Sequence, residues 1–154
     1  MASIQRVREI QGIPTNLVVH SFGDRIVIFI TQLGKIGCLI QASIPSSVPL
    51  LPPPPPPALP PPPTATSLTP LLGHPPDARS VTLFNLYAAQ AAAIAWAKAG
   101  QLHRRPVIVG LALKRTKSSQ TASSAGEAED DFQISDIDKA TFKEIMSMLV
   151  DCLE

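Results

Sequence analysis

Residues 12–43 read as two consecutive β-hairpins with almost no polar face. Their centre, Ile26-Val27-Ile28-Phe29-Ile30, is apolar at five positions running. A strand with one wet face alternates apolar and polar residues, and one that does not is buried on both. Residues 15–22 and 25–32 form the strongest strands, joined by Gly23-Asp24 in a two-residue type II′ turn. That turn pairs His20 with Val27 and Val18 with Phe29 on one face, and Ser21 with Ile26, Val19 with Ile28 and Leu17 with Ile30 on the other. The second face is aliphatic apart from Ser21. The first also carries His20, Arg25 and Thr31. Gly34-Lys35 predicts a second tight turn, and residues 37–43 a returning strand. Residues 3–10 form a weaker first strand.

After a proline-rich stretch, Leu71-Leu72-Gly73 reads as the tail of a short strand. Residues 77–99 follow as a helix capped by Asp77 or Ser80 and ended by Gly100. Val81, Phe84, Ala88, Ala91 and Ala95 share one of its faces, flanked by Tyr87 and Ile94. Residues 106–114 predict another strand, with Gly110 and Ala112 leaving room for close packing. Ser135 and Asp138 resemble a capping box ahead of a final helix over 136–153, which buries Phe142, Ile145, Met146, Leu149 and Leu153. The order predicts an α+β fold: an antiparallel five- or six-stranded sheet with two helices on one face and the opposite face used for dimerisation. That opposite face carries Val18, His20, Val27, Phe29, Thr31 and Ile40, the expected partner interface.

Composition adds the domain plan. The 154 residues suffice for one domain spanning 1–154. Fifteen of the 17 prolines fall between Pro45 and Pro76. Proline lacks the N–H and fixes φ, so residues 45–70 are expected as a disordered or polyproline II insert with few core contacts. A polar loop is expected at 117–131. The formal net charge is +1, and the basic run at 114–117 is offset by Glu127, Glu129, Asp130 and Asp131, so no nucleic-acid partner is expected. No apolar run reaches the roughly 18 residues that span a bilayer, so no membrane partner is expected either. Two cysteines without metal-ligand spacing, and no signal sequence, fit a reducing, cytoplasmic setting, with the nucleus as a second compartment.

Candidate chemistry is sparse. His20, His74 and His103 lack ligand spacing, and Gly34-Lys35 lacks the rest of a phosphate-binding loop. His20 reads as a sheet residue at a protein contact, and Cys38 as a small buried hydrophobe. No enzyme activity, metal or cofactor is expected. Trp96 lies about a third of a turn off the apolar stripe of its helix, either packed at the helix edge or serving as an aromatic anchor for a partner. Ser123 and Ser124, upstream of acidic residues, read as a solvated loop or as phosphorylation sites. The proline run is either a solvated spacer or a ligand for profilin, WW, SH3 or EVH1 modules, which would make the chain an adaptor.

The run GIPTNLVV, the aromatic Phe22, IVIFITQLGKIGCLI, Leu71-Leu72-Gly73 and the strand and helix beyond together resemble the proteasome assembly chaperone 3 family over roughly 110 residues in order. The turn Thr31-Gln32-Leu33-Gly34-Lys35-Ile36-Gly37 is the most specific piece. The resemblance implies a chaperone of 20S core-particle assembly. It implies a heterodimer with a proteasome assembly chaperone 4-like partner, contact with proteasome α subunits during α-ring formation, and no ATP or metal. A homodimer is expected where that partner is missing. The proline insert and the expanded loop at 117–131 depart from the family pattern.

Overall fold

A computed structural model describes residues 2–50, 52, 54–55, 58–75, 78–100, 104–114 and 136–153. The polar loop expected at 117–131, Ser123, Ser124, and the cap candidates Asp77 and Ser135 lie outside these residues. The fold is α+β, a six-stranded, mostly antiparallel mixed sheet with two helices. In chain order the elements are β1 (Ala2–Ile10), β2 (Ile13–Ser21), β3 (Ile26–Thr31), β4 (Cys38–Ser43), β5 (Ser67–Leu72), α1 (Ala78–Ala99), β6 (Val107–Ala112) and α2 (Asp136–Leu153). The strands lie in the order β1-β2-β3-β6-β4-β5, with β3 and β6 parallel.

The β2–β3 register is the one the alternation predicts: Leu17 pairs with Ile30, Val18 with Phe29, Val19 with Ile28 and His20 with Val27. The turn differs. Gly23 does not adopt the positive φ that a type II′ turn needs. The Phe22 amide donates to the Arg25 carbonyl at 2.9 Å, while the Phe22 carbonyl accepts from the Arg105 guanidinium. The second expected hairpin is absent. Strand β6 lies between β3 and β4, so the Gly34-Lys35 segment spans a strand instead of closing a tight turn. Residues 107–112 are the more apolar filler for the middle of the sheet, with five of six buried. The other true hairpin joins β1 to β2 through Gln11 and Gly12, whose φ values of 52° and 75° place both in the left-handed region. A two-residue hairpin with both φ positive matches the right-handed twist of its strands.

Both helices cover the same face. Helix α1 packs on β4, β5 and β6, and α2 on β1 and β2. Beneath them Leu17, Val19, Ile26, Ile28, Ile30, Val107, Val109 and Leu111 are buried. Tyr87 of α1 meets Phe142 of α2 edge-on with ring centroids 5.0 Å apart, and Arg79 donates to Asp138 at 2.6 Å between the helix starts. Val81, expected on the buried stripe, is exposed. Gly100 ends α1 with φ 79°, its amide donating to the Trp96 carbonyl at 2.9 Å.

The buried face of α1 is much wider than a stripe. Every residue from Ala91 to Trp96 is buried, because α1 is covered on its outer side as well. The cover is the proline tract, which corrects the expectation of few core contacts. Leu50 and Leu59 pack against the core, and Gln90 Nε2 donates to the Pro60 carbonyl at 2.8 Å. The strand after the tract starts at Ser67, inside the expected insert. Its Pro70 is tolerated because β5 is an edge strand.

One polar cluster is sealed in the core. Gln32 Nε2 donates to Thr15 Oγ1 at 3.1 Å, and Gln32 Oε1 accepts from the Lys114 amide at 3.0 Å. Thr15 Oγ1 in turn donates to the Ile13 carbonyl at 3.2 Å. One amide side chain thus ties β2, the end of β3 and the exit of β6. Ile28→Ala should cost about 2–5 kcal/mol in chemical denaturation, since the site is fully buried among helix-facing residues. Gln32→Ala should cost about 1–3 kcal/mol by the same measurement, because Thr15 and the Lys114 amide lose a buried partner.

Candidate protein interface

The face of the sheet away from the helices is formed by the alternate residues of every strand. Strand pairing places Gln5, Val18, Phe29, Gly110, Leu39 and Leu72 in one row across all six strands. A neighbouring row runs Ser3, His20, Val27, Ile108, Gln41 and Thr69. The first row is apolar everywhere except at Gln5. Polar side chains of Ser3, Gln5, Asn16, Thr31, Gln41 and Thr69 surround this apolar centre.

Phe29 sits at the middle of the patch. A Cβ on Gly110 would stand 2.6 Å from its Cδ1 and 3.0 Å from side-chain atoms of Ile36 and Leu39. The ring therefore lies down across Gly110, between Ile36 and Leu39, and fills the space that a side chain on β6 would occupy. His20 meets Phe29 edge-on at 6.3 Å and Phe22 at 6.1 Å. The aromatic band thus runs from the exposed Phe22 at the hairpin end to the centre of the sheet. Leu72 on the edge strand is 65 % exposed and Val7 on β1 is 62 % exposed. Val18, Val27, Phe29, Leu39 and Ile108 are half-buried by their neighbours alone.

Of the expected interface residues, Val18, His20, Val27, Phe29 and Thr31 come together on this face. Ile40 does not. It is 3 % exposed in the helix-covered core, opposite Val109. Its assignment followed from the expected β3–β4 hairpin, and the insertion of β6 gives β4 a different register. Leu39 takes its place on the open face, with Ile108, Gly110 and Leu72 as further members. The alternation in residues 107–112 carried the signal for Ile108 and Gly110. Their central position depended on strand order, which alternation does not encode.

Thr31 has a second role. Its Oγ1 donates to the Lys35 carbonyl at 2.8 Å and accepts from the Leu33 amide at 3.2 Å. Gly34, with φ 72°, allows the chain to fold back there. The Thr-Gln-x-Gly-Lys run is thus an ordered bend within the crossing from β3 to β4, with Thr31 Oγ1 bonded on both sides of it and Gln32 anchoring it below.

The chemistry elsewhere is quiet. Cys38 and Cys152 are buried free thiols, and burial pushes both up from the ordinary thiol range. Burial, helped by nearby Asp138, pushes the Tyr87 phenol up as well. Among the described residues no group of three or more His, Cys, Asp or Glu is placed to hold a metal ion. No described helix is long and apolar enough to cross a membrane. Trp96, weighed above as an exposed anchor, is 1 % exposed and donates its indole N–H to the Arg105 carbonyl at 2.8 Å.

No family model matches this chain, and no curated protein is similar to it. The face just described presents Phe29 and the aliphatic side chains of Val18, Val27, Leu39, Ile108 and Leu72 within a polar rim, the anatomy of protein interfaces. Gly110→Ala should push the Phe29 ring off its seat. The expected cost is about 1–3 kcal/mol in thermal or chemical unfolding, with a changed Phe29 ring environment in methyl–aromatic NOEs.

Proposed function

We propose that this chain is an assembly chaperone of the 20S proteasome core particle, similar to proteasome assembly chaperone 3, and that it works as a heterodimer through its open sheet face. The observation that carries the reading is the apolar row Val18-Phe29-Gly110-Leu39-Leu72 on a face that neither helix covers. A patch of this kind on an uncovered face usually marks an interaction site. The Thr31–Gly37 segment adds support, because Thr31 and Gln32 have defined structural tasks in this fold.

On this reading the partner is a related chaperone, chaperone 4-like, with a complementary sheet face. Without it the chain pairs with itself. The pair meets proteasome α subunits in the cytoplasm, or in the nucleus, through surfaces other than the paired sheets. The chain needs no catalysis, cofactor or nucleic acid, since its contribution is to present shape to assembling subunits.

A tagged chain should co-purify with proteasome α subunits and a small sister chain, identified by mass spectrometry. Recovery of neither would overturn the reading. Phe29→Asp would place an unpaired charge at the desolvated centre of the contact. Sedimentation with the partner should show the complex lost while circular dichroism of the variant stays native. An undiminished complex would move the interface to another face.

A further inference from the structure

The proline tract is rich in carbonyl acceptors and poor in donors, because proline has no N–H. Within the tract the Val48, Ala58 and Thr66 amides donate to the Pro45, Pro55 and Pro63 carbonyls, and other parts of the chain supply further donors. Gln90 Nε2 of α1 reaches the Pro60 carbonyl at 2.8 Å. Arg104, just before β6, donates to the Pro45 carbonyl at 3.0 Å and to the Val48 carbonyl. Beside these donors, Ala93, Trp96 and Ala97 of α1 share one cavity of about 340 Å³ with Val48, Leu50 and Pro60–Pro63. An aromatic side chain, small apolar neighbours and a side-chain amide directed at a proline carbonyl are what polyproline-binding grooves use. Residues 45–70 contain no charged side chain, so the tract is attached by apolar contact and by hydrogen bonds to its backbone, not by ion pairs of its own.

We propose that the outer face of α1 is a built-in polyproline site occupied by this chain's own tract. A polyproline-binding domain then reaches the tract only by displacing it from Trp96, Ala93 and Ala97. The cover is displaceable because a cleft of about 340 Å³, open to solvent, lies between part of the tract and Ala93, Trp96 and Ala97. It also competes in cis, without loss to dilution, so it lowers the apparent affinity of any reader by the fraction of time the tract is free. The device is independent of the sheet face and would operate whether or not the chain is a chaperone.

Trp96 is the single tryptophan of the chain and reports on the site. Labelled with 5-fluorotryptophan, the intact protein gives one 19F resonance. Gln90→Ala removes the donor to Pro60, and Ala97→Arg forces a bulky cation into the shared cavity. Both should shift the resonance and make it more accessible to a soluble paramagnetic probe, with far-ultraviolet circular dichroism unchanged. Unlabelled profilin, a polyproline-binding protein, should move the wild-type resonance in the same direction. By calorimetry it should bind each variant roughly tenfold more tightly than wild type, the factor expected if the tract is docked about nine-tenths of the time. If Ala97→Arg fails to fold, Gln90→Ala alone provides the comparison. Equal affinities for wild type and variant, a Trp96 resonance indifferent to the variants, or no profilin binding to any of them would each overturn the proposal.

Discussion

Strand β6 is the piece on which the sheet depends, because β3 and β4 do not pair with each other. Ile26 to Thr31 pair with one edge of β6 in parallel, and Cys38 to Ala42 with its other edge antiparallel. Without residues 107–112 the sheet would separate into β1-β2-β3 and β4-β5. Each part would leave a strand edge unpaired, a costly condition for backbone polar groups in a core. Gln32 reinforces the join through the Lys114 amide, and its own backbone N–H donates to the Ala112 carbonyl at 2.8 Å. Arg105 reinforces the other end, holding the Phe22 carbonyl with its guanidinium and the Trp96 indole with its carbonyl. The residues just before and just after β6 therefore act as clasps. Gly110 serves the open face by giving Phe29 a flat seat.

How much of this was legible depends on which physical signal each feature leaves in the sequence. Alternation over residues 15–32 determines both the β2–β3 register and the division of Leu17, Val19 and Ile28 from Val18, Val27 and Phe29, since a one-residue slip would reverse the faces. Helical periodicity likewise marks α2, where Ile145, Met146 and Leu149 are buried as expected. Strand order leaves no local trace. Two strands separated by a short Gly-rich segment look like a hairpin whether or not a third strand enters between them, and Ile40 was placed on the wrong face for that reason. The β1–β2 turn leaves only a weak signal, because Gln11 is an unusual residue for positive φ. Docking of the tract on α1 was invisible to periodicity, since its determinants are carbonyl acceptors and a few distant donors.

Helix α1 shows what that docking changes. An alanine-rich helix packs close to a sheet but offers little apolar bulk of its own. With the tract over its outer side, Ala91 to Ala95 become interior on every side, and Trp96 supplies the volume that the alanines lack. The result has three layers over half of the sheet: strands, helix and tract. Over the other half, among the described residues, α2 lies on the sheet, with Arg8 and Asp151 paired at 3.1 Å on its surface. An exposed pair of that kind contributes at most about 1 kcal/mol, so the apolar contacts of Ile145, Met148 and Leu149 are what hold α2 in place.

The molecule thus treats its two outward apolar surfaces differently. The outer side of α1 is narrow and is covered by a chain segment already tethered nearby. Closing even a long loop over it costs little, because the closure entropy grows only logarithmically with length. The open sheet face runs across all six strands, and no described segment lies across it. Among the described residues the chain covers one apolar surface with itself and leaves the other rimmed by Ser3, Gln5, Asn16, Gln41 and Thr69, an apolar centre with a polar border that suits the paired-sheet contact proposed above.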